Sequence, residues 1–215
     1  HQQFSQTMAS GIRLTALLTI PASCGLWVMS KPIIGLLFQH GNFSAAATEN
    51  TARALSGLAI GLAGFSVYLF VLRGFYARND TRTPFFINVA ENAINIVLAI
   101  VLVDRHGVFG LGLSFSIAYL VSALIALLVL ESTEVDIKLS ELAFNIARIA
   151  IAAGAMTCVV WFTIRHVGSE AGLGALSRVV AGTLIGAATY AVALSALGEK
   201  TMRDYLSSII TKSSR

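Results

Sequence analysis

The chain has 215 residues, of which 56% are hydrophobic and 12% charged, and its mean hydropathy is +0.77. A soluble domain carries about 25% charged residues and covers itself with polar groups. This composition therefore excludes an ordinary soluble enzyme and favours a protein that exposes apolar side chains to lipid. The net charge of +4 comes from basic residues at the ends of apolar runs. That pattern is typical of membrane anchoring, and we predict no binding of nucleic acid.

Six apolar stretches follow one another, and each is long enough to cross about 30 Å of hydrocarbon. A helix satisfies its own backbone hydrogen bonds in lipid, and the stretches lack the period-two alternation of a membrane barrel. The predicted fold class is therefore an all-α, polytopic membrane protein with six transmembrane helices. The spans cover about residues 14–38, 54–76, 85–103, 108–130, 146–164 and 173–197.

Several residues predict where these helices begin or bend. Ser44 is a suitable N-cap for the second span, and Thr83 followed by Pro84 is a suitable N-cap and first helical residue for the third. Pro21 and Pro32 lie within the first span. Each removes a helical hydrogen bond, so we expect a bend there.

The distribution of Lys and Arg predicts the orientation of the chain. With the amino end in the cytoplasm, the inner segments hold about ten of these residues and the outer segments about five. Both ends are therefore expected in the cytoplasm.

The third span carries the most informative polar residues. Asn88, Glu91, Asn92 and Asn95 follow the spacing i, i+3, i+4 and i+7, so they share one helical face. Polar groups within a membrane are costly and usually face a protein interior or a water-filled cavity. They are candidates for a substrate or ion pathway, with Glu91 able to hold a cation or proton. The alternative is that they only form hydrogen bonds between helices.

Three arginines, Arg73, Arg78 and Arg82, cluster between the second and third spans. They are candidates for contacting a phosphate or pyrophosphate headgroup, because guanidinium groups match phosphate oxygens. The alternative is ordinary anchoring at the cytoplasmic surface. No catalytic set, metal-ligand spacing or cofactor motif is found, so we predict neither an enzyme nor a cofactor.

Three stretches of the sequence resemble the MurJ/MviN family. The first comprises PASCGL at 21–26 and KPIIGLLFQHGNF at 31–43. The second is RGFYARNDTRTP at 73–84, similar to the family pattern RxFYAxxDTxTP. The third comprises NIVL at 95–98 and GLGLS at 110–114. Together they cover roughly residues 10 to 130.

The resemblance implies a MATE-like exporter fold with fourteen spans, of which these six would be the ninth to fourteenth. Family members move lipid II, the undecaprenyl-pyrophosphate-linked cell-wall precursor, from the inner to the outer leaflet of the bacterial cytoplasmic membrane by alternating access. Residues 1–130 would then be the second part of the carboxyl-terminal transport lobe, with four spans. Residues 131–142 would be a cytoplasmic linker, 143–198 two additional spans and 199–215 a basic cytoplasmic tail. The expected partners are lipid II, membrane lipids and a coupling cation or proton.

The sequence departs from the family at one ion site. Some members bind sodium with an Asn and an Asp four residues apart, and with a Thr in the next span. Here Asn95 matches the Asn, but Ala99 stands at the Asp position and Phe115 at the Thr position. A sodium site of that kind is not expected unless Glu91 substitutes for the Asp. The last two spans line a groove for lipid tails in the family, and their apolar composition permits this here.

Two alternative functions are also compatible with the sequence. The cargo could be another polyprenyl-linked glycan such as O-antigen, or the chain could be a non-transporting scaffold of cell-wall synthesis. The chain begins with His1 instead of Met, which predicts a fragment or an internal start.

Overall fold

A computed structural model describes residues 2–133, 138–168 and 172–198 of the chain. These residues form helices connected by short turns, and the predicted tail at 199–215 lies outside them. The helices are α1 (Gln2–Val28), α2 (Ser30–Phe38), α3 (Ala45–Ala77), α4 (Arg82–His106), α5 (Val108–Ser132), α6 (Leu139–His166) and α7 (Gly172–Ala196).

Six of these helices are long and apolar enough to cross a membrane, namely all except the nine-residue α2. The prediction of an all-α polytopic protein with six spans is thus confirmed. The helices extend beyond the predicted spans, and α5 and α6 reach into the predicted linker. We call the end of the bundle with residues 78–81, 133 and 138 the proximal end. The opposite end, with residues 39–44 and 107, is the distal end.

The prediction that 14–38 forms one span was wrong. The chain breaks at Met29, where φ is −99° and ψ is 11°, and α2 continues from Ser30. Pro32 lies in the first turn of α2, where its missing N–H is tolerated, and proline disfavours a continuous helix through the residues before it. Pro32 therefore accounts for a break instead of a bend.

Pro21 lies within α1, which continues through it. Because proline has no N–H, the carbonyl of Leu17 loses its helical donor. The hydroxyl of Tyr190 in α7 donates to that carbonyl at 2.8 Å, and the bond is buried. The backbone group that the proline leaves without a helical partner is thus satisfied from another span.

The structure tests two predicted helix starts. Ser44 caps α3 as predicted, since its side chain accepts from the backbone N–H of Ala47 at 3.2 Å. The prediction that Thr83 caps the next helix was wrong, because α4 already begins at Arg82. Asp80 takes this role: its carboxylate accepts from the backbone N–H groups of Arg82 and Thr83, each at 3.0 Å.

The spans pack in two groups that share α1. In one group α3 lies between α1 and α5, and α4 packs on the far side of α5. In the other, α6 and α7 pair with each other and contact α1 and α2. One apolar core joins the proximal half of α1 to α3 and α5, and a second joins its distal half to α6 and α7.

Small residues bring α3 and α5 close together. A Cβ at Gly57 would lie 2.7 Å from the carbonyl oxygen of Phe109, and one at Gly61 would overlap Ser116. The hydroxyl of Ser116 donates to the carbonyl of Gly57 at 2.6 Å. Glycine therefore permits a helix contact at backbone distance, as small-xxx-small patterns do in membranes.

Candidate functional site

The polar face of α4 has a buried part and an open part, because α4 packs mainly against one neighbouring helix, α5. Within the described residues α4 contacts α5 extensively and α3 only slightly. Glu91 is 2% exposed and Asn95 is half-buried, whereas Asn88 and Asn92 are exposed. The four predicted pathway residues thus form a polar track that runs from the α4–α5 contact outward to the uncovered side of α4.

Hydrogen bonds hold the asparagines of this polar track. The side-chain amide of Asn92 donates to Oδ1 of Asn88 at 2.7 Å and to the backbone carbonyl of Asn88 at 2.9 Å. Ser114 of α5 donates to Oδ1 of Asn95 at 3.1 Å. Asn95 therefore links two helices, while the pair on the open side is satisfied within α4.

Two tyrosines that the sequence analysis missed lie beside Glu91. Its carboxylate interacts electrostatically with the phenols of Tyr68 in α3 and Tyr119 in α5. The two phenol rings meet edge to face, with centroids 5.4 Å apart. The Tyr68 hydroxyl is buried and makes no hydrogen bond to the described residues, although Asn88 approaches it. Glu91 is thus a buried carboxyl group near two aromatic side chains.

The positions that the resemblance compares with a sodium site line a separate cavity. A space of about 370 Å³ between α3, α4 and α5 is lined by Asn95, Ala99, Ser114 and Phe115, among others. The cavity brings together the positions that the resemblance singled out, but Glu91 is not among its lining residues. The cavity consequently offers amide and hydroxyl oxygens without a carboxylate.

The three arginines are placed differently at the proximal end. Arg78 donates to the hydroxyl of Thr133 at 2.6 Å and so ties the end of α3 to the end of α5. Arg73 is exposed on α3. Arg82 lines an open cavity of about 500 Å³ together with Thr81, Phe85 and Phe86. Of the three, Arg82 is the one that borders an open cavity.

Asp80 fixes the turn that carries these arginines. Hydrogen bonds from Thr83 and from the backbone of Arg82, together with the nearby charge of Arg78, hold the pKa of its carboxyl below the ordinary value of 3.8. The ionised carboxylate is therefore the form that caps α4 at neutral pH.

A large apolar groove runs between α1, α6 and α7. Its volume is about 630 Å³, and Leu17, Pro21, Met29, Gly182 and Tyr190 are among its lining residues. Pro21 and Tyr190 both line the groove, and Tyr190 donates to the Leu17 carbonyl that Pro21 leaves without a helical donor. A groove of this size and composition accommodates hydrocarbon chains.

The described part of the chain holds no cluster of three His, Cys, Asp or Glu side chains that could bind a metal ion. The predicted absence of a cofactor stays a prediction.

Comparison with known proteins agrees with the resemblance of the motifs. A family model described as "Lipid II flippase MurJ" matches residues 1–197. A probable lipid II flippase MurJ of Vibrio cholerae is 30% identical over 159 residues, which are 74% of this chain and 30% of that protein. The corresponding protein of Rickettsia prowazekii is 35% identical over 109 residues, 51% of this chain and 22% of its own length.

A solved structure shares the fold. It is titled "Lipid II flippase MurJ, inward closed conformation" and superimposes with a TM-score of 0.78 at 26% identity, covering 93% of this chain and 40% of the solved chain. The present chain thus spans less than half the length of the proteins it matches. The family match extends over most of the chain, and the chain is a multi-pass membrane protein that belongs to the MurJ family of lipid II flippases.

Proposed function

We propose that the chain forms the carboxyl-terminal part of a flippase that moves lipid II from the inner to the outer leaflet by alternating access. Relatives and a solved structure with this fold carry that name. The observation that supports a transport role in this chain is the polar track of α4, with a buried carboxylate at one edge and an uncovered side. Polar residues at membrane depth normally border a pathway or a shared interior.

In this proposal Asn88, Glu91, Asn92 and Asn95 border the pathway on one side. The exposed pair would face the substrate or water, and Glu91 would bind a proton or cation where few other groups compete for it. The carboxylate-free cavity at Asn95 argues against sodium bound there as in some relatives. The coupling ion is then carried by Glu91, if the chain couples transport to an ion.

At the proximal end, Arg82 would contact the pyrophosphate as it enters. It lines an open cavity, and guanidinium groups donate two parallel hydrogen bonds to phosphate oxygens. Arg73 would assist from the exposed side of α3. Arg78 would act mainly by holding the turn, because its guanidinium group is bonded to Thr133.

The apolar groove would receive the polyprenyl tail while the headgroup crosses beside α4. Its wall consists of the two spans beyond the four-span lobe and of α1. In the proposed setting the protein lies in the bacterial cytoplasmic membrane, with both ends in the cytoplasm. The excess of Lys and Arg in the sequence segments predicted to lie inside supports this orientation.

Growth of a bacterium depleted of its own lipid II flippase tests the proposal. The full-length transporter that contains this chain should restore growth. A variant with Asn88, Glu91, Asn92 and Asn95 all changed to Leu should reach the membrane in normal amounts and fail to restore growth. A matched variant with Val89, Val97 and Val101 changed to Leu, on the apolar sides of the same helix, should restore it.

Two outcomes would contradict the proposal. Failure of the unmodified transporter would exclude lipid II as cargo, and competition with another polyprenyl-linked glycan would then identify the alternative cargo. Full growth with the four-leucine variant would remove the pathway role and favour a non-transporting scaffold.

A further inference from the structure

A polar recess at the distal end is separate from the polar track of α4 and from the apolar groove. It has a volume of about 330 Å³ and lies where the end of α1, the start of α2, the start of α3 and the end of α6 meet. Its chemically distinctive lining residues are Trp27, Ser30, Lys31, Glu49, Arg53 and Trp161.

Two cations and one carboxylate line this distal recess. Nζ of Lys31 lies 3.2 Å from Oε2 of Glu49, and their side chains are 44% and 52% exposed. A guanidinium nitrogen of Arg53 donates to the backbone carbonyl of His106 at 3.4 Å, which is long for such a bond. The exposed ion pair of Lys31 and the long hydrogen bond of Arg53 each contribute little energy, so both cations can turn towards a stronger acceptor at small cost.

Tryptophan flanks the distal recess on both sides. Trp27 and Trp161 are about half exposed, and they are the two tryptophans of the chain. The guanidinium of Arg165 lies 3.7 Å from the ring centroid of Trp161, which adds a third cation at the rim. Indole rings with one polar edge favour the level of lipid headgroups.

We propose that the distal recess binds the phosphate of a lipid headgroup between Lys31 and Arg53. Charge-assisted hydrogen bonds from ammonium and guanidinium groups to phosphate are short and strong, and one carboxylate against two cations leaves a net positive charge. The volume lies at the lower end of the range for ligand pockets and fits a phosphoglycerol-sized group. The bound phosphate would join the start of α2 to the start of α3.

The bound phosphate could belong to a bulk anionic phospholipid or to a polyprenyl pyrophosphate. The protein in maltoside detergent, which carries no phosphate, can be titrated with dioctanoyl phosphatidylglycerol and, separately, with farnesyl pyrophosphate. Tryptophan emission reports binding directly, because both indoles line the recess. We expect a saturable change with at least one phosphate lipid and none with dioctanoylglycerol. The tighter of the two lipids identifies the source, and no change with either overturns the proposal.

Substitutions distinguish a specific phosphate site from general electrostatic attraction to the distal end. Arg53→Gln and Lys31→Gln should each weaken binding about tenfold, since each removes a charged donor. Glu49→Gln should tighten binding several-fold, because it removes the competing partner of Lys31. Arg105→Gln removes the same charge at the distal end outside the recess and should change nothing.

Weaker binding with Glu49→Gln would overturn the proposal, because it would make the carboxylate a ligand for a cation instead. An equal loss with Arg105→Gln would also overturn it, because attraction would then be general to that end of the bundle. If the Arg53→Gln variant does not fold, the effects of Arg53→Lys and Glu49→Gln on binding of the phosphate lipid still test the proposal. Phosphate binding requires no flippase activity. Failure of the growth assay would therefore contradict the proposed function, whereas failure of the lipid titration would contradict the distal recess.

Discussion

The link between Tyr190 and the backbone of α1 gives the sharpest stability prediction. Tyr190→Phe removes the hydroxyl that donates to the Leu17 carbonyl at 2.8 Å and keeps the ring that packs there. Because Pro21 supplies no N–H, that carbonyl has no helical donor in the variant. The change therefore leaves a buried acceptor without its partner and loosens α7 from α1.

The expected cost follows from the burial of this bond. Leaving a buried acceptor without a partner costs about 1–3 kcal/mol, whereas hydrogen bonds between spans are worth about 0.6 kcal/mol on average and about 1.7 at most. We expect about 1 kcal/mol for Tyr190→Phe. For a chain of this length that lowers the melting temperature by about 2–4 °C.

A double-mutant cycle with Pro21→Ala isolates the cause. Alanine restores the helical N–H, so Leu17 keeps a partner and Tyr190→Phe should cost clearly less in that background. Melting in detergent, followed for all four proteins, measures the coupling. Tyr76→Phe is the control: Tyr76 is 51% exposed, so this variant should keep the melting temperature of the unmodified protein. Equal losses for Tyr190→Phe with and without Pro21 would refute the reasoning.

Three further predictions concern the helix contacts, the ion site and the start of α4. Gly61→Ala should destabilise the protein by about 1–3 kcal/mol because its methyl would overlap α5, whereas Gly154→Ala meets open space and should melt unchanged or higher. Ala99→Asp supplies the missing carboxylate, so sodium should raise the melting temperature of that variant more than that of the unmodified protein; equal shifts would contradict this. Asp80 has a lowered pKa, so its cap is present at neutral pH and is lost only as the pH falls through a pKa below the ordinary 3.8. Hydrogen exchange at the Thr83 amide should therefore rise in Asp80→Ala at pH 7, and unchanged exchange would contradict the cap.

The number and class of the spans could be predicted because apolar length is a local property of the sequence. The cap at Ser44 is local as well, since its partner lies three residues away. The break at Met29 was missed because two prolines fall in the same apolar run. Their spacing does not tell which one bends the helix and which one ends it.

The setting of Glu91 could be predicted only in part. Its spacing with three asparagines predicted a shared face, but the buried edge of that face depends on where α5 packs. Tyr68 and Tyr119 were missed because they belong to two other helices, and sequence spacing within one helix cannot show which helices are neighbours. The same holds for Tyr190 and Leu17, which are separated by 173 residues.

The central claim is that the polar side of α4 faces a shared aqueous interior while its other side faces lipid. Asn92 and Val97 test it, because both are exposed in this chain and lie roughly 140° apart around the helix. In a full-length background without Cys24 and Cys158, each is changed to Cys and treated with a water-soluble maleimide. We expect that Asn92→Cys reacts and that Val97→Cys does not; equal labelling of the two would contradict an aqueous interior on the polar side of α4.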